Sequence, residues 1–331
     1  MTMASRKADA SAGRQGRSGL LSGLRYCLTV VLLLAGQSLH AATRIDIILS
    51  AHTPYYDELA EALKARVSAQ DPAARVQVTL ARNLDASAIS SDRLLVAIGT
   101  SATELALRQF PDNRLLSLFV TESAWLNMTA DQPVHLDQRA AIFINQPLER
   151  FMVLATLLKP DMKILSTALG PVSRQHKPML EKLAAHHNLT LVAEEIDEHT
   201  NPLVKLTPLI NRSDLFLAIP DQGIFNRAIA RWALYLSYKR KIPVLGFSRS
   251  YTQAGALASL LTSPQDVSRQ AGEWLERYIN QDDEALWQAF EPHYFTLELN
   301  LYVARALDIP ITSEEAVYQQ LVQRLDKDKT P

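Results

Sequence analysis

Short loops rich in hydroxyl groups and glycine follow the apolar, strand-like runs of this sequence. The clearest is Gly99-Thr100-Ser101, which comes after the run LLVAI at 94–98 and opens a helical pattern. Backbone N–H groups at the start of a helix bind carboxylate or phosphate without a charged side chain. Glycine lets a ligand approach the backbone closely. We therefore expect Gly99, Thr100 and Ser101 to bind a small ligand.

Other strand-exit loops carry further candidates for ligand binding. Asp221 is placed to pair with a ligand ammonium group in a cleft of low dielectric, and Tyr55 or Tyr251 to stack on a ligand. The remaining candidates share only their position after a strand-like run: Thr53, Thr121, Pro171 and Ser248. A structural role stays open, since Thr53, Thr100 and Asp221 have side chains that also cap helices.

Catalytic and metal sites are less well supported. The segment GFSRS at 246–250 approaches the nucleophile elbow of serine hydrolases but has Ser250 in place of the second glycine. His186 and His187 have no acidic partner at the spacing of metal ligands. Neither G-x-G-x-x-G nor G-x-x-x-x-G-K occurs. We expect a binding protein that performs no reaction and needs no metal or cofactor.

The elements that position these loops follow from the alternation of apolar runs and helical spacing. Strand and helix patterns alternate from Arg44 onward, and residues 215–261 have the order strand, helix, strand, helix, strand. This alternation predicts an α/β fold with doubly wound parallel sheets. In such sheets, ligands bind outside the carboxyl ends of the strands.

The pattern restarts after Pro147, which predicts two lobes with a ligand cleft between them. We place residues 43–145 and about 256–290 in lobe 1. Residues 147–254 and about 291–312 form lobe 2, and 313–331 form a C-terminal helix and tail. The expected hinge lies near Gln146-Pro147, Gly255 and residues 290–293.

The N-terminus has the pattern of a secretory signal peptide, residues 1–41. Five Lys and Arg residues precede or border the apolar stretch YCLTVVLLLA at 26–35, and small residues follow at Ala41-Ala42. Cleavage there would remove Cys27, the only cysteine. We expect a periplasmic protein, with a retained membrane anchor as the alternative.

The charge balance argues against a nucleic-acid partner. The whole chain has a net charge of −1. Residues 1–41 hold five basic side chains and one acidic one, so the remainder has 29 basic and 34 acidic side chains and a net charge of −5. Nucleic-acid binding requires a basic face.

Several segments resemble those of one known family. The likeness covers residues 44–312 and rests on the order of these motifs: AIGTSA at 97–102, ALGP at 168–171, LAIPD at 217–221, IPVLG at 242–246, YTQAGALAS at 251–259, FTLELN at 295–300 and ARALDIP at 304–310. The chain resembles the tryptophan/tyrosine-type periplasmic substrate-binding proteins of ABC importers, which have the two-lobed type I periplasmic-binding fold.

This resemblance implies hinge closure on a small polar, amino-acid-like ligand and recognition of the closed form by a membrane permease. We also expect a monomer. The alternative from another functional class is a periplasmic sensory or accessory protein that acts on a membrane signalling partner.

Overall fold

The computed structural model describes residues 43–85, 87, 89–130, 136–281 and 285–328. The predicted signal peptide, residues 1–41, lies outside these ranges. No helix in the described ranges is both long and apolar enough to cross a membrane.

Twelve strands form in the described part of the chain. They are β1 (Arg44–Leu49), β2 (Arg75–Leu80), β3 (Leu94–Ile98), β4 (Arg114–Val120), β5 (Arg139–Phe143), β6 (Ile164–Leu169), β7 (Thr190–Glu195), β8 (Leu215–Leu217), β9 (Val244–Gly246), β10 (Ala258–Leu261), β11 (Ala289–Phe290) and β12 (Thr296–Leu299).

Eleven α-helices connect these strands. They are α1 (Pro54–Gln70), α2 (Thr100–Gln109), α3 (Glu122–Thr129), α4 (Leu148–Leu158), α5 (Lys177–His186), α6 (Pro202–Asn211), α7 (Arg227–Lys239), α8 (Arg249–Gln253), α9 (Pro264–Ile279), α10 (Leu301–Ala306) and α11 (Glu314–Asp328). Short 3₁₀ helices lie at Ala81–Asn83, Leu136–Gln138 and Ser173–His176.

The sheet of lobe 1 has the order β11-β5-β4-β3-β1-β2, with all strands parallel. Helices α1 and α9 cover one face, where Leu63 and Leu275 are among the buried side chains. Helices α2 and α3 cover the other, where Ala106 and Trp125 are buried. Burial on both faces explains the continuous apolar run of β3.

The sheet of lobe 2 has the order β12-β10-β9-β8-β6-β7, in which only β12 is antiparallel to its neighbour. The sequence predicts that residues from about 256 belong to lobe 1. Instead, β10 pairs with β9 and β12 of lobe 2. Gly255, with a φ of 118°, forms the turn between α8 and β10 and is not a crossing between the lobes.

The C-terminal helix α11 belongs to lobe 2. Val317, Leu321 and Leu325 lie at intervals of four residues and are buried in the same core as α4. The sequence predicts a separate C-terminal helix and tail at residues 313–331, because charged and polar residues dominate this segment. Residues 329–331 lie outside the described ranges.

Three crossings connect the lobes, at residues 144–147, 262–263 and 291–295. The first two leave from the carboxyl ends of β5 and β10. The third leaves from the carboxyl end of β11 and enters β12 opposite Leu261, at the carboxyl edge of the second sheet. Each crossing therefore joins the carboxyl edges of the two sheets, which face each other across a cleft.

Candidate functional site

The candidate site is built by the strand-exit loops of both lobes. In each sheet, the chain reverses its direction of winding between the first and third strands of that lobe, at β1/β3 and at β6/β8. Such switch points leave a crevice outside the carboxyl ends of the strands. The predicted site residues lie after β1, β3 and β4 in lobe 1 and after β6, β8 and β9 in lobe 2.

At the lobe 1 switch point, the loop after β1 caps the helix after β3. The Ser50 hydroxyl accepts a hydrogen bond from the Ala102 amide at 2.8 Å, at the start of α2. Thr100 and Ser101 begin that helix and are exposed. Thr53 caps α1 by accepting from the Tyr56 amide at 3.2 Å, the structural role that the sequence left open for it.

The backbone conformation and the close packing at position 99 require glycine. Its φ of 91° lies in the region that favours glycine. An added Cβ would lie 2.6 Å from the Ser50 Oγ and 2.7 Å from the Tyr56 hydroxyl. The backbone therefore approaches two hydroxyl groups closely at the mouth of the switch point.

Tyr56 lies at this switch point, whereas the sequence predicts a ligand contact at its neighbour Tyr55. Its ring packs edge-on against Phe119 with centroids 5.6 Å apart, and burial raises the pKa of its hydroxyl. Tyr55 is 53% exposed. Phe119 has a φ of 56° at an irregularity in the pairing of β4 with β5, a strained conformation for a bulky residue.

The loop after β4 begins α3. Thr121 caps this helix by accepting from the Ala124 amide at 3.2 Å. The Glu122 amide donates to the Asn145 side chain at 2.9 Å, which ties this loop to the first crossing. The Glu122 carboxylate is half-buried and accepts no hydrogen bond from another described residue.

Asp221 stabilises the loops at the lobe 2 switch point. It is 4% exposed. One carboxylate oxygen accepts from the Val172 amide at 3.0 Å and from the Ser173 amide and hydroxyl, each at 2.8 Å; the other accepts from the Gly223 amide at 3.0 Å.

Four donors from its own lobe therefore use the carboxylate of Asp221, so its role here is structural. The ammonium pairing expected from the sequence is not the role that this geometry supports. Gly170 permits the arrangement, since a Cβ there would lie 2.6 Å from the Asp221 carboxylate.

Tyr251 is buried in the core of lobe 2, with 8% exposure. Its ring lies 4.8 Å from that of Phe247 and 6.5 Å from that of Phe225, measured between centroids. Its hydroxyl is buried without a hydrogen-bond partner among the described residues, and burial raises its pKa. The face that the sequence analysis expected to stack on a ligand is therefore covered by protein.

Pro171 and Ser248 remain partly exposed at the cleft edge of lobe 2. Pro171 packs over Gly223, whose Cβ would lie 3.2 Å from its ring. The Ser248 hydroxyl lies 2.8 Å from that of Ser250, and no described histidine or carboxylate bonds to it. This environment does not activate Ser248 as a nucleophile.

Among the described residues, an electrostatic interaction connects the strand-exit loops of the two lobes. Glu122 of lobe 1 acts on the imidazole of His176, which precedes α5 in lobe 2. Burial lowers the pKa of His176, and the negative charge of Glu122 partly opposes this shift. Neither Glu122 nor His176 is among the site residues predicted from the sequence, although Thr121, next to Glu122, is.

A hydrogen-bonded cluster joins the three crossings at Gln146, which is 7% exposed. Its side-chain amide donates to the Thr262 hydroxyl at 2.7 Å and to the Tyr294 carbonyl at 3.1 Å. The Thr262 hydroxyl donates to the Ile144 carbonyl at 2.7 Å. The guanidinium of Arg150 donates to the Gln146 side chain and to the His293 carbonyl.

Asp266 links two of the same crossings from the start of α9. One of its oxygens accepts from the Ser263 amide at 2.9 Å and hydroxyl at 2.7 Å, which completes a capping box. The same oxygen accepts from the Thr296 hydroxyl of β12 at 2.7 Å. The predicted hinge positions at Gln146 and at residues 290–293 coincide with crossings between the lobes. The remaining crossing lies at Thr262, whereas the sequence predicts it at Gly255.

Metal ligation finds no support within the described ranges, which contain no group of three or more His, Cys, Asp or Glu side chains that could hold an ion. His186 and His187 contact each other edge-on, with centroids 5.1 Å apart. They line a groove at the amino edge of lobe 2, far from the strand-exit loops.

Neither a protein-family model nor a curated protein matches the sequence. Solved structures do match. A ligand-free, open substrate-binding protein with adhesive properties from Clostridium difficile shares 14% identity at a TM-score of 0.65, covering 83% of this chain and 97% of its own.

Two further structures match at similar coverage. An ABC domain in complex with L-Trp from Streptococcus pneumonia has 16% identity and a TM-score of 0.53, covering 84% of this chain and 98% of its own. A periplasmic ribose ABC transporter protein from Conexibacter woesei has 10% identity and a TM-score of 0.54, covering 83% and 97%.

At these identities the likeness defines the fold. The chain has the fold of the type I periplasmic-binding proteins, with two α/β lobes built on parallel sheets. This confirms the fold class expected from the sequence.

Proposed function

We propose that the protein is a periplasmic substrate-binding component of an ABC-type importer, which closes on a small polar, amino-acid-like ligand. The observation that carries this proposal is the pair of switch-point crevices that face each other across the three crossings joined at Gln146. A cleft between lobes that share a compact hinge suits hinge closure, in which the ligand favours the closed state.

The ligand class follows from the groups that remain available in the cleft. The Ala102 amide already donates to the Ser50 hydroxyl. A ligand carboxylate therefore binds at the exposed start of α2, at Thr100 and Ser101. Asp221 is fully engaged within lobe 2. Glu122 therefore replaces it as the partner of a ligand ammonium group, with Thr53, Thr121, Pro171 and Ser248 as further contacts.

The partner of the closed form is a membrane permease. The names of the structural neighbours support this part of the proposal, since they describe substrate-binding and ABC transporter proteins. The periplasmic location rests on the sequence of residues 1–41. The sensory alternative has no specific structural observation in its favour.

A thermal-shift screen against amino acids, nucleosides, sugars and carboxylates tests the proposal. A ligand at about a hundred times its dissociation constant stabilises the folded state by about 2.7 kcal/mol. We expect a hit among amino-acid-like compounds that Glu122→Gln weakens. The control Glu61→Gln, on the exposed face of α1, leaves it unchanged. If no compound stabilises the protein, the importer role is wrong.

A further inference from the structure

A second cavity lies at the outer edge of lobe 1, on the side opposite the cleft. It is an open groove with a volume of about 620 Å³, lined by residues of α1, β1 and β2, by Ala74 and by Arg93, which precedes β3. Four of its lining side chains are cationic, namely Arg44, Lys64, Arg75 and Arg93, and one is a carboxylate, Asp46. Arg44 and Arg75 begin their strands and Arg93 precedes β3. The cavity therefore lies at the amino edge of the sheet, separate from the candidate ligand site.

Two of the cations face each other across neighbouring strands. Arg44 and Arg75 are direct partners in the register of β1 and β2. Like charges in this position destabilise a sheet. Arg44 reaches Asp92 at 3.4 Å, but both side chains are largely exposed and the pair is weak. Arg75 has no ion pair among the described residues, so an anion between the two arginines would relieve their repulsion.

Two carboxylates, those of Asp46 and of the exposed Asp92, do not neutralise the four cations. Asp46 is 6% exposed, and both its oxygens accept from one nitrogen of Arg93, at 3.0 and 3.1 Å. The Arg93 Nε is buried and has no hydrogen-bond partner among the described residues. Buried donors are nearly always paired in folded proteins, so Asp46 does not satisfy the Arg93 guanidinium in full.

The rest of the lining combines the donors Lys64, Ser68 and Gln77 with the apolar side chains of Ala74 and Val76. Lys64 and Ser68 are four residues apart on α1 and so lie on one face of that helix. Lys64 forms no ion pair within the described ranges, and the amide of Gln77 on β2 is exposed. The lining has a net positive charge, whereas the chain as a whole has a net charge of −1. Positive potential is therefore concentrated in one concave site.

We propose that this cavity binds a phosphate-bearing ligand. Guanidinium groups match phosphate oxygens through paired hydrogen bonds, and the volume suits a small organic phosphate. The phosphate belongs either to a soluble ester or to a phospholipid headgroup, which offer the same chemistry. This site is independent of the ligand cleft, so its failure leaves the proposed importer function untouched.

The test compares the binding of two phosphate-bearing probes. Binding of inorganic pyrophosphate is measured by calorimetry at constant ionic strength, and binding of phosphatidylglycerol vesicles by co-sedimentation, with phosphatidylcholine vesicles as the reference. The variant is Lys64→Ala with Arg75→Ala. The control is Lys182→Ala with Arg231→Ala, which removes the same charges from exposed positions of lobe 2.

We expect the cavity variant to bind about tenfold more weakly than the wild type and the control. Binding of pyrophosphate points to a soluble ester, and binding of the anionic vesicles alone points to a headgroup. The proposal is overturned if the wild type binds neither probe, if the cavity variant binds as well as the wild type, or if the control loses as much. Unchanged thermal unfolding shows that each variant is folded.

Discussion

The side-chain amide of Gln146 lies 2.7 Å from the hydroxyl of Thr262 and thereby joins the first crossing between the lobes to the second. The same amide donates to the Tyr294 carbonyl of the third crossing at 3.1 Å. One buried side chain thus holds the three connections of the hinge in a fixed arrangement. In the proposed function, it sets the geometry about which the lobes close.

Replacing Gln146 with Ala is expected to lower the free energy of unfolding by about 1–3 kcal/mol, because it leaves buried acceptors without their donor. Urea denaturation measures the change. The control is Gln175→Ala, an exposed residue of lobe 2, which we expect to be neutral. Equal stability of the two variants would contradict the role of Gln146 in the hinge.

Replacing Asp221 with Ala is expected to lower the free energy of unfolding by about 2–4 kcal/mol, since four donors lose a buried, charged acceptor. Chemical denaturation is again the measurement. A variant of unchanged stability that no longer binds ligand would instead restore the ammonium-binding role that the sequence suggested.

Replacing Glu122 with Gln tests the ligand-binding assignment separately from stability. The carboxylate accepts no hydrogen bond from another described residue, so the unfolding free energy should change by less than about 0.5 kcal/mol. Affinity for an amino-acid-like ligand should fall by a factor of about ten or more, because a charge-assisted hydrogen bond is lost. Calorimetry with a hit from the ligand screen measures the affinity. Unaltered affinity would exclude Glu122 as the ammonium partner.

Replacing Tyr251 with Phe is expected to leave the protein as stable as the wild type or up to about 2 kcal/mol more stable at neutral pH, because the buried hydroxyl has no partner. Burial raises the pKa of this hydroxyl above its ordinary value of 10.0. The unfolded chain therefore loses the proton first as the pH rises, and the wild type loses stability above pH 10.

The Tyr251→Phe variant should lose less stability over this alkaline range. Thermal unfolding between pH 8 and about 11 measures the difference. Tyr238→Phe serves as the control, since Tyr238 is 56% exposed. A marked loss of stability at neutral pH in the Tyr251 variant would show that the hydroxyl has a partner after all.

The fold was predictable because both of its lobes repeat a strong local pattern. Each parallel strand is a short apolar run, and each helix has an apolar face or a clear cap, such as Thr53 before Pro54. The assignment of β10 failed for a physical reason. A run such as that of residues 258–261 fits the core of either sheet, and only its pairing with β9 and β12 places it in lobe 2.

The site was less predictable, because its contacts join distant parts of the chain. Nothing near Asp221 indicates that its carboxylate meets amides 48 and 49 residues away. Tyr55 and Tyr56 are adjacent, and their order alone does not tell which ring turns toward Gly99. Helical spacing distinguishes them, since Tyr56 lies three residues before the buried Leu59 and so on the same face of α1.

The most direct test of the account is the distance between the lobes with and without ligand. Pulsed electron paramagnetic resonance measures this distance between spin labels at Gln109→Cys in lobe 1 and Ala228→Cys in lobe 2, both of which are exposed positions. Cys27 is replaced if residues 1–41 are retained. The account predicts that a stabilising ligand from the thermal-shift screen shifts the distribution toward shorter distances and that Glu122→Gln reduces the shift. A distribution unchanged by a bound ligand would contradict hinge closure.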